Sequence, residues 1–414
     1  MLTKNTACRD CGSSKLTLFL DLSDQPPANA FLTKEALADG HETRYPLKAY
    51  VCEDCQLVQL IDVVDLDTLF QDYVYLTAGA GPTTPKHFTE YAESIAKRFA
   101  LGKNSFVVEI GSNDGLLLSA FQKCDVKKVL GVDPAKNVAK IANDRGTPTL
   151  AEPWGEAVAK RIAKEHGKAD LIIGNNVVAH INDHQDLVRA VKALLAPKGA
   201  FVFEAPYLVD MFENLSFDTI YHEHLSCLAV RPLKRLFESH GLQVFDVRGK
   251  SVQGNSMRMF VGWPDAHEVH LRVPGFVNKE EGMNLNIVPS YHNLARRAER
   301  RVKETTDLLA KLKKEGKRIA GYGAPAKGNT LLNYAKIGPE TLEYLTEELP
   351  TKIGKFSPGM HIPVVHVDVA RKDPPDYLLV LAWNYLEKIL EREDALRKRG
   401  TKFIVPIGEY LRVL

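Results

Sequence analysis

The stretch FVVEIGSNDG, residues 106–115, decides the fold that the sequence predicts. FVVEI has the composition of a buried strand, and the glycine turn that follows it leads into a helix. Outward from this stretch, KVLGVD, LIIGNNV and AFVFEAP are further strands, separated by helices that end near residues 122, 144 and 195. This alternation predicts an α/β fold with a doubly wound parallel sheet, with LQVFDVRG and SMRMFVGW as closing strands at its edge.

A second alternating pattern occupies the C-terminal third of the chain. RIAGYG, HIPVVHV, DYLLVLAWNY and KFIVPI are its extended segments, with helices from about 326 and up to about 398. Before it, residues 294–317 predict a basic amphipathic helix whose charged face we expect to be solvated. A linker is predicted between residues 76 and 85, where YLTAGAGPTTPKHF is rich in small residues and proline. We therefore predict three domains, at 1–80, 81–290 and 291–414, of which the second and third are Rossmann-like.

Composition excludes several classes of protein. With 414 residues, 45% of them apolar and 26% charged, the chain has room for two or three globular domains. Its 54 Lys and Arg nearly balance 52 Asp and Glu, so a bound anion must be held by a local site rather than by a global field. No run of about 18 apolar residues occurs, which predicts a cytoplasmic protein with no membrane partner. The sequence leaves the oligomeric state open and is compatible with a monomer.

Two C-x2-C pairs predict a metal site. Cys8 with Cys11 and Cys52 with Cys55 form the pairs, and in a reducing compartment two such pairs are typical of a tetrahedral zinc–thiolate centre. Four cysteines close the coordination shell, which makes the zinc structural; disulfides or free thiols are the alternatives. Residues 1–80 carry six Lys and Arg against twelve Asp and Glu, a balance of −6. An acidic module repels phosphate backbones, so no nucleic-acid partner is expected.

The turn after the first strand indicates the cofactor. It lacks the G-x-G-x-x-G spacing of dinucleotide sites, and Glu109 and Asp114 would repel a pyrophosphate. Carboxylates suit a cationic cofactor without phosphate, such as S-adenosylmethionine (AdoMet). Asp133, 22 residues beyond Gly111, can accept both ribose hydroxyls, although a simple Asp-Pro turn is the alternative there. The predicted cofactor-binding residues are Glu109, Gly111, Ser112, Asn113, Gly115, Asp133, Pro134, Asn175 and Asn176.

Taken together, the motifs resemble a family. The C-x2-C pairs, EIGSNDG, GVDP, NNVVAH, YHEH, GYGAPAKGN and PGMHIP occur in the order seen in the zinc-containing sugar-nucleotide C-methyltransferases, which build branched deoxysugars in antibiotic pathways. The resemblance runs from Cys8 to near the C-terminus. It implies a zinc domain, a central methyl-transfer domain and a Rossmann-like domain that helps to hold a dTDP-sugar.

Methyl transfer to carbon requires a carbanion equivalent, which a sugar supplies beside a carbonyl, so the expected substrate is a dTDP-linked 4-keto deoxysugar. YHEH, residues 221–224, offers histidine bases, a carboxylate and a phenol. If the segment is extended, Tyr221 and Glu223 share one face while His222 and His224 share the other. The resemblance implies that His224 is the base and that Glu223 and Tyr221 lie near the reacting sugar. A metal site and a buried structural cluster are the alternatives for this motif.

Further residues are candidates for the same site. Tyr75 can close over the sugar or polarise its keto oxygen, or it can be a packing residue beside Tyr73. The resemblance places His180, after NNVVA, near both methyl donor and acceptor. In GYGAPAKGNT the helix N-terminus with Lys327, Asn329 and Thr330 can hold a diphosphate, and Tyr322 can stack on the thymine. A tight strand-to-helix turn is the alternative for this loop.

The sequence therefore predicts an AdoMet-dependent C-methyltransferase that acts on a dTDP-4-keto-deoxysugar, with C3 preferred as the methylated carbon. Three alternatives stay open: methylation at C5, a zinc-ribbon nucleic-acid methyltransferase or binding protein, and a nicotinamide-dependent sugar oxidoreductase. The acidic N-terminal module argues against the second, and the acidic glycine turn argues against the third.

Overall fold

A computed structural model describes residues 2–65, 68–69, 83–250 and 256–414. Tyr75 and most of the predicted linker lie outside the described residues. Within them, no helix is both long enough and apolar enough to cross a membrane. One cluster of buried apolar side chains extends from Cys8 to Ile407 and so takes in all three parts of the chain.

The N-terminal part is a small β-rich module. Its elements are β1 (Leu2–Lys4), β2 (Leu16–Gln25), α1 (Lys34–Asp39), β3 (Tyr45–Cys52), β4 (Val58–Leu60) and β5 (Asp62–Val64). β2, β3 and β4 form an antiparallel sheet, and β1 pairs separately with β5. The sequence around the C-x2-C pairs predicts a zinc-ribbon-like module with strands at LTLFLDL, AYV and LVQLI. Strands are present at all three segments, and β2 and β3 extend beyond them.

The middle part is built around the strand quoted first. Its elements are α2 (Thr83–Arg98), β6 (Phe106–Ile110), α3 (Leu116–Lys123), β7 (Lys128–Val132), α4 (Lys136–Asp144), β8 (Thr149–Leu150), α5 (Glu156–His166), β9 (Ala169–Asn175), α6 (His184–Leu194), β10 (Leu195–Pro206), α7 (Leu208–Asn214), β11 (Ser226–Cys227), α8 (Val230–Ser239), β12 (Gln243–Lys250), β13 (Ser256–Gly262) and α9 (Arg272–Gly282). Short 3₁₀ turns cover Val178–His180 and Phe217–Thr219.

The central sheet has seven strands in the order β12-β13-β10-β9-β6-β7-β8. β6 to β10 run parallel, and β13 lies antiparallel between β10 and β12. Every residue of β6 is buried, because helices cover both faces of the sheet. The strand order reverses between β6 and β9, which opens a crevice at their carboxyl ends. β12 forms the predicted sheet edge, whereas β13 is internal.

The C-terminal part contains α10 (Val288–Lys314), β14 (Ile319–Tyr322), α11 (Ala326–Ala335), β15 (Leu345–Glu347), β16 (Val364–His366), α12 (Asp368–Lys372), β17 (Tyr377–Val380), α13 (Leu386–Arg392), α14 (Asp394–Lys398), β18 (Lys402–Val405) and β19 (Arg412–Val413). Its sheet order is β16-β15-β14-β17-β18-β19, parallel except for β19. This confirms the second Rossmann-like fold. β15 was not predicted, and the predicted helix to 398 is interrupted at Glu393, whose buried carboxylate binds Tyr322 and Arg371.

The basic helix α10 departs from the prediction at one position. Its charged face was expected to be solvated, but Arg301 is 6% exposed. The Arg301 guanidinium donates to the carbonyl oxygens of Pro406, Gly408 and Glu409, at 2.9 to 3.0 Å. A planar fork can satisfy several acceptors at once, so this arginine anchors the C-terminal segment to α10.

We expect Arg301→Lys to lower the free energy of unfolding by about 2 kcal/mol, because an ammonium group cannot reach all three carbonyl oxygens and leaves buried acceptors without donors. The exposed neighbour Arg300 provides the control: Arg300→Lys should change stability by less than about 0.5 kcal/mol. Urea unfolding of both variants measures the difference. Equal stabilities would show that the carbonyl contacts contribute nothing.

Candidate active site

Three loops meet at the carboxyl ends of β6, β7 and β9. The loop after β6 holds residues 111–115, Asp133 follows β7, and Asn175 ends β9. The Asp133 carboxylate accepts the backbone N–H groups of Asn113 and Ala135 at 2.8 and 2.9 Å, which ties the end of β7 to the first loop. The structure thus brings together the residues that were predicted to bind a cofactor.

The backbone of the first loop depends on its glycines. Gly111 and Gly115 have φ of 64° and 76°, in the left-handed region that L-residues with a side chain disfavour. A Cβ on Gly111 would lie 2.8 Å from the Val177 side chain, and one on Gly115 would lie 2.8 Å from Thr147. The two glycines therefore permit both the turn and the close approach of the neighbouring loops.

Several buried polar atoms around this crevice have no hydrogen-bond partner among the described residues. They are Glu109 Oε2, Ser112 Oγ, Asn175 Nδ2 and Asn176 Oδ1. Each such atom costs about 1–3 kcal/mol, a cost that a ligand with both donors and acceptors would remove. AdoMet carries an ammonium, a carboxylate and ribose hydroxyls. The residues present fit this cofactor.

The charges of the crevice are mainly acidic. Burial, with the neighbouring carboxylates of Asp133 and Asp114, raises the pKa of Glu109 well above its usual range, and burial raises the pKa of Asp133. A bound cation would oppose both shifts. Asp114 differs from the prediction, because its carboxylate is 2.9 Å from the Arg145 guanidinium. Its charge is matched by that arginine rather than being available to a cofactor.

The four N-terminal cysteines form one cluster. The sulfur atoms of Cys8, Cys11, Cys52 and Cys55 all lie within 4.8 Å of one another, with Cys8–Cys55 at 3.5 Å and Cys11–Cys52 at 3.6 Å. Tetrahedral zinc with bonds of about 2.3 Å places its sulfurs about 3.8 Å apart. The arrangement fits one zinc ion bound by four thiolates and leaves no open position for water.

YHEH forms a turn, so the prediction of an extended segment is wrong. The His224 N–H donates to the Tyr221 carbonyl oxygen at 2.8 Å. This turn places Tyr221 and His224 side by side, with their ring centroids 4.0 Å apart, and directs His222 and Glu223 elsewhere. The alternation rule for strands fails here because tertiary contacts bend the backbone.

His224 is held in one tautomer. Its Nδ1 lies 2.7 Å from the Thr219 carbonyl oxygen, which accepts only, and its Nε2 lies 2.8 Å from the Tyr221 hydroxyl. The proton therefore resides on Nδ1, and Nε2 keeps a lone pair that accepts from the phenol. Burial, with the Lys327 cation nearby, lowers the pKa of His224 to about 4. The ring is thus unprotonated at neutral pH, as a base must be.

His180 lies beside His224 at the same edge of the sheet. It ends the 3₁₀ turn after β9, and the two imidazole centroids are 5.1 Å apart. Burial lowers the pKa of His180 to about 3, with a further contribution from His224. Two neutral imidazoles can share a buried space without charge repulsion, and their contact brings the loop after β9 next to the YHEH turn.

The other two residues of the turn contact the N-terminal module. The Asn29 amide donates to the Glu223 carboxylate at 2.7 Å, and His222 Nε2 donates to the Tyr45 carbonyl oxygen at 3.2 Å. Burial raises the pKa of Glu223 to about 7, and the Asn29 and Lys352 side chains oppose that rise. Glu223 is therefore a buried carboxyl that titrates near neutral pH.

The C-terminal part also contributes side chains near His224. Lys327 Nζ donates to Asn384 Oδ1 at 2.5 Å and lies 4.1 Å from the centroid of the Trp383 ring. Trp383 Nε1 in turn donates to the Asp218 carboxylate at 2.8 Å. Burial lowers the pKa of Lys327 and raises that of Asp218, and each of the two groups opposes the shift of the other. Lys327 is thus a buried cation close enough to His224 to help lower the pKa of that ring.

The remaining predicted residues differ in their placement. Asn329 Nδ2 donates to the Ala28 carbonyl oxygen at 2.8 Å, while Asn329 Oδ1 and Thr330 Oγ1 are buried and have no partner among the described residues. Tyr322 does not fit the predicted stacking on thymine. It is 3% exposed, and its hydroxyl donates to Glu393 within the core of the C-terminal domain. Pro134 is exposed at the end of the crevice.

The sequence motifs did not identify several residues of the site. Asn29, Asp218, Lys352 and Trp383 come from three separate parts of the chain. No motif marks them, because single polar residues in ordinary segments carry no periodicity or spacing signal. Asp218 and Trp383 lie 165 residues apart, and only the packed fold brings them together.

Comparison with known proteins assigns the family. Over 403 residues, the chain is 38% identical to C-methyltransferase NovU of Streptomyces niveus, covering 97% of this chain and 95% of that protein. The chain belongs to the C-methyltransferases. Family models match along its length: a zinc binding domain at residues 8–70, a methyltransferase domain at 86–247 and a C-methyltransferase C-terminal domain at 251–408. This C-methyltransferase uses AdoMet as methyl donor and carries its zinc on the four N-terminal cysteines.

Two solved structures each resemble less than half of the C-methyltransferase. The plantazolicin methyltransferase BpumL in complex with SAH is 11% identical, with a TM-score of 0.35, over 44% of this chain and 85% of its own. A SAM-dependent methyltransferase from Anabaena variabilis is 15% identical, with a TM-score of 0.34, over 41% of this chain and 83% of its own. The family assignment rests on the Streptomyces relative and the family models.

We expect Glu109→Gln to weaken AdoMet binding about tenfold, because a buried carboxylate beside a cation is worth more than a neutral amide. The folded-state pKa of Glu109 is raised, so its contribution to stability is present below the unfolded pKa and is lost as pH rises through the folded pKa. At pH 7.5 the variant should therefore be at least as stable as the parent. Calorimetric titration with AdoMet and urea unfolding measure the two effects.

Asp114→Asn is the matched control in the same loop. Its charge is already compensated by Arg145, so we expect AdoMet affinity within about threefold of the parent. Equal losses of affinity in the two variants would contradict a direct role for Glu109.

Proposed function

We propose that this C-methyltransferase transfers the methyl group of AdoMet to C3 of a dTDP-linked 4-keto deoxysugar. The observation that carries the proposal is the fixed tautomer of His224: Nδ1 holds its proton against the Thr219 carbonyl oxygen, so Nε2, which here accepts from the Tyr221 hydroxyl, is the nitrogen that takes up a substrate proton once that hydroxyl turns away. A carbon becomes nucleophilic when it loses a proton beside a carbonyl, and that step needs an unprotonated base enclosed from water.

In this proposal His224 removes the proton from the carbon next to the ketone, and the C–H electrons move into an enolate. AdoMet, when bound, supplies an electrophilic methyl group. With AdoMet held by the loop after β6, its methyl group would pass to the enolate carbon as the methyl–sulfur bond breaks, and the proton would leave His224 for solvent. Tyr221, whose hydroxyl lies 2.8 Å from His224 Nε2, orients the ring.

The remaining site assignments belong to the same proposal. His180 and Glu223 lie near the reacting sugar. Tyr75, which lies outside the described residues, closes over the sugar or polarises its keto oxygen. Lys327, with the buried polar atoms of Asn329 and Thr330, binds the nucleotide-linked part of the substrate. The donor is held by the loop after β6, Asp133 with Pro134, and the amides that end β9. In this proposal, residues 1–80 form the zinc-binding domain and residues 81–290 form the methyl-transfer domain. Residues 291–414 form the domain that binds the nucleotide sugar.

We expect His224→Asn to lower kcat about 10³-fold, because general-base catalysis of this kind is lost, with AdoMet affinity within about threefold of the parent. His222→Asn tests the neighbouring histidine of the same turn, which faces Tyr45 rather than the site, and should cost less than about tenfold. Turnover with a dTDP-4-keto-6-deoxysugar and labelled AdoMet, followed by NMR of the product, measures both.

Proton exchange separates base chemistry from methyl transfer. In D2O without AdoMet, the parent should exchange the C3 proton of the sugar, and His224→Asn should not. Exchange of the C5 proton instead would show that C5, and not C3, is the methylated carbon. Full exchange by the His224→Asn variant would show that His224 is not the base.

The titration of Glu223 predicts how activity depends on pH. Its pKa is raised to about 7, so the profile of kcat/KM should contain a limb near neutral pH that is absent in Glu223→Gln. Asn29→Leu removes a donor to the charged carboxylate, which raises the pKa further and moves the limb to higher pH. A limb unchanged in both variants would show that another group titrates.

A further inference from the structure

The two zinc knuckles are alike in sequence but differ in surroundings. Asp10 and Asp54 occupy the same position, immediately before the second cysteine of each C-x2-C pair. The Asp54 side chain is 40% exposed and pairs with Lys15 on the surface. The Asp10 side chain is 2% exposed and faces the middle domain. The Asp10 side chain is therefore built into the contact with the methyltransferase fold, whereas the second knuckle meets that fold through the Asp54 carbonyl oxygen, which accepts from Arg235 and would remain in an Asp54 variant.

Asp10 reaches the loop that carries His180. Its carboxylate oxygen lies 2.6 Å from His184 Nδ1, and His184 Nε2 lies 3.1 Å from the Val178 carbonyl oxygen. Val178 opens the 3₁₀ turn that ends at His180. His184 is fully buried, and the Gln185 amide also donates to the Asp10 carbonyl oxygen. A single buried imidazole thus connects the zinc knuckle to the first histidine loop.

Arg9 reaches the loop that carries His224. Its guanidinium donates to the Leu60 carbonyl oxygen, and its backbone N–H donates to Gln59 Oε1 at 3.2 Å. The Leu60 N–H donates to the Leu225 carbonyl oxygen at 2.9 Å, one residue beyond His224. β11, which follows at once, pairs with β4 through Ser226 and Gln59. The same knuckle therefore has a second, independent connection to the YHEH turn.

We propose that Arg9 and Asp10 are positioning residues, through which the zinc site sets the relative placement of His180 and His224. The two rings belong to loops that are separated in sequence, and their centroid distance of 5.1 Å requires both loops to be held against a common support. Zinc bound to Cys8 and Cys11 fixes the backbone of Arg9 and Asp10 between them. The inference rests on the proposed function in that it takes both histidines to act on the substrate.

The expected size of the effect follows from the geometry. Partners that orient groups at a site typically contribute 10- to 100-fold, and a displacement of about 1 Å at reacting atoms can cost about 10²-fold. Zinc should still bind in the absence of the Asp10 carboxylate, because all four thiolates remain. Loss of the connection should therefore lower kcat without loss of the metal.

The experiment compares Asp10→Ala with its matched control Asp54→Ala. We expect Asp10→Ala to keep one zinc per chain and AdoMet affinity within about threefold, while kcat falls about 10- to 100-fold. Asp54→Ala should match the parent in all three. Asp10→Asn keeps an oxygen acceptor for His184 and should recover most of the lost kcat.

Amide hydrogen exchange on the zinc-loaded protein tests the two connections without substrate. Asp10→Ala should speed exchange at residues 178–181 and leave 221–225 protected, whereas Arg9→Lys should show the reverse pattern. Unchanged exchange in both segments would overturn the positioning role. So would an Asp10→Ala protein that loses zinc or overall stability as strongly as it loses turnover. Because exchange is read on the free enzyme, this test stands even if the proposed substrate is wrong.

Discussion

The hydrogen bond from the Leu60 N–H to the Leu225 carbonyl oxygen is the constraint on which the site depends. It extends the sheet of the zinc-bearing module by a strand from the methyltransferase domain, since β11 pairs with β4 directly afterwards. The YHEH turn is thereby fixed at its end to a different domain from the one that supplies its beginning. An isolated methyltransferase sheet would have no means of holding this turn.

From that fixed turn the side chains diverge. Glu223 and His222 bond to Asn29 and Tyr45 of the N-terminal module, while His224 faces His180 and the lysine of the C-terminal domain. Side chains from all three parts of the chain therefore meet around the YHEH turn. Burial lowers the pKa of both histidines and raises that of Glu223. At neutral pH the two histidines are therefore unprotonated beside the buried cation of Lys327.

The net charge of +2 conceals this separation of charges. The N-terminal module is acidic, the crevice beside β6 carries Glu109 and Asp133, and the C-terminal domain directs Lys327 and Lys352 inwards. Lys352 is 7% exposed and donates to the Ala324 carbonyl oxygen. Acidic side chains in the first two parts of the chain and buried lysines in the third thus offset each other in the total.

The sequence by itself determined the local features of this protein. Strand and helix periodicity predicted the two Rossmann-like sheets, C-x2-C spacing predicted the cysteine cluster, and the broken glycine pattern beside Glu109 indicated AdoMet. These patterns can be recognised in the sequence because each arises between residues that are close along the chain. Only the tertiary structure decided that YHEH is a turn, that Tyr322 is a core residue, and that Asp10 meets His184 across 174 residues. Those outcomes depend on which buried surfaces meet, and hydrogen bonds between distant segments leave no spacing that a sequence pattern can record.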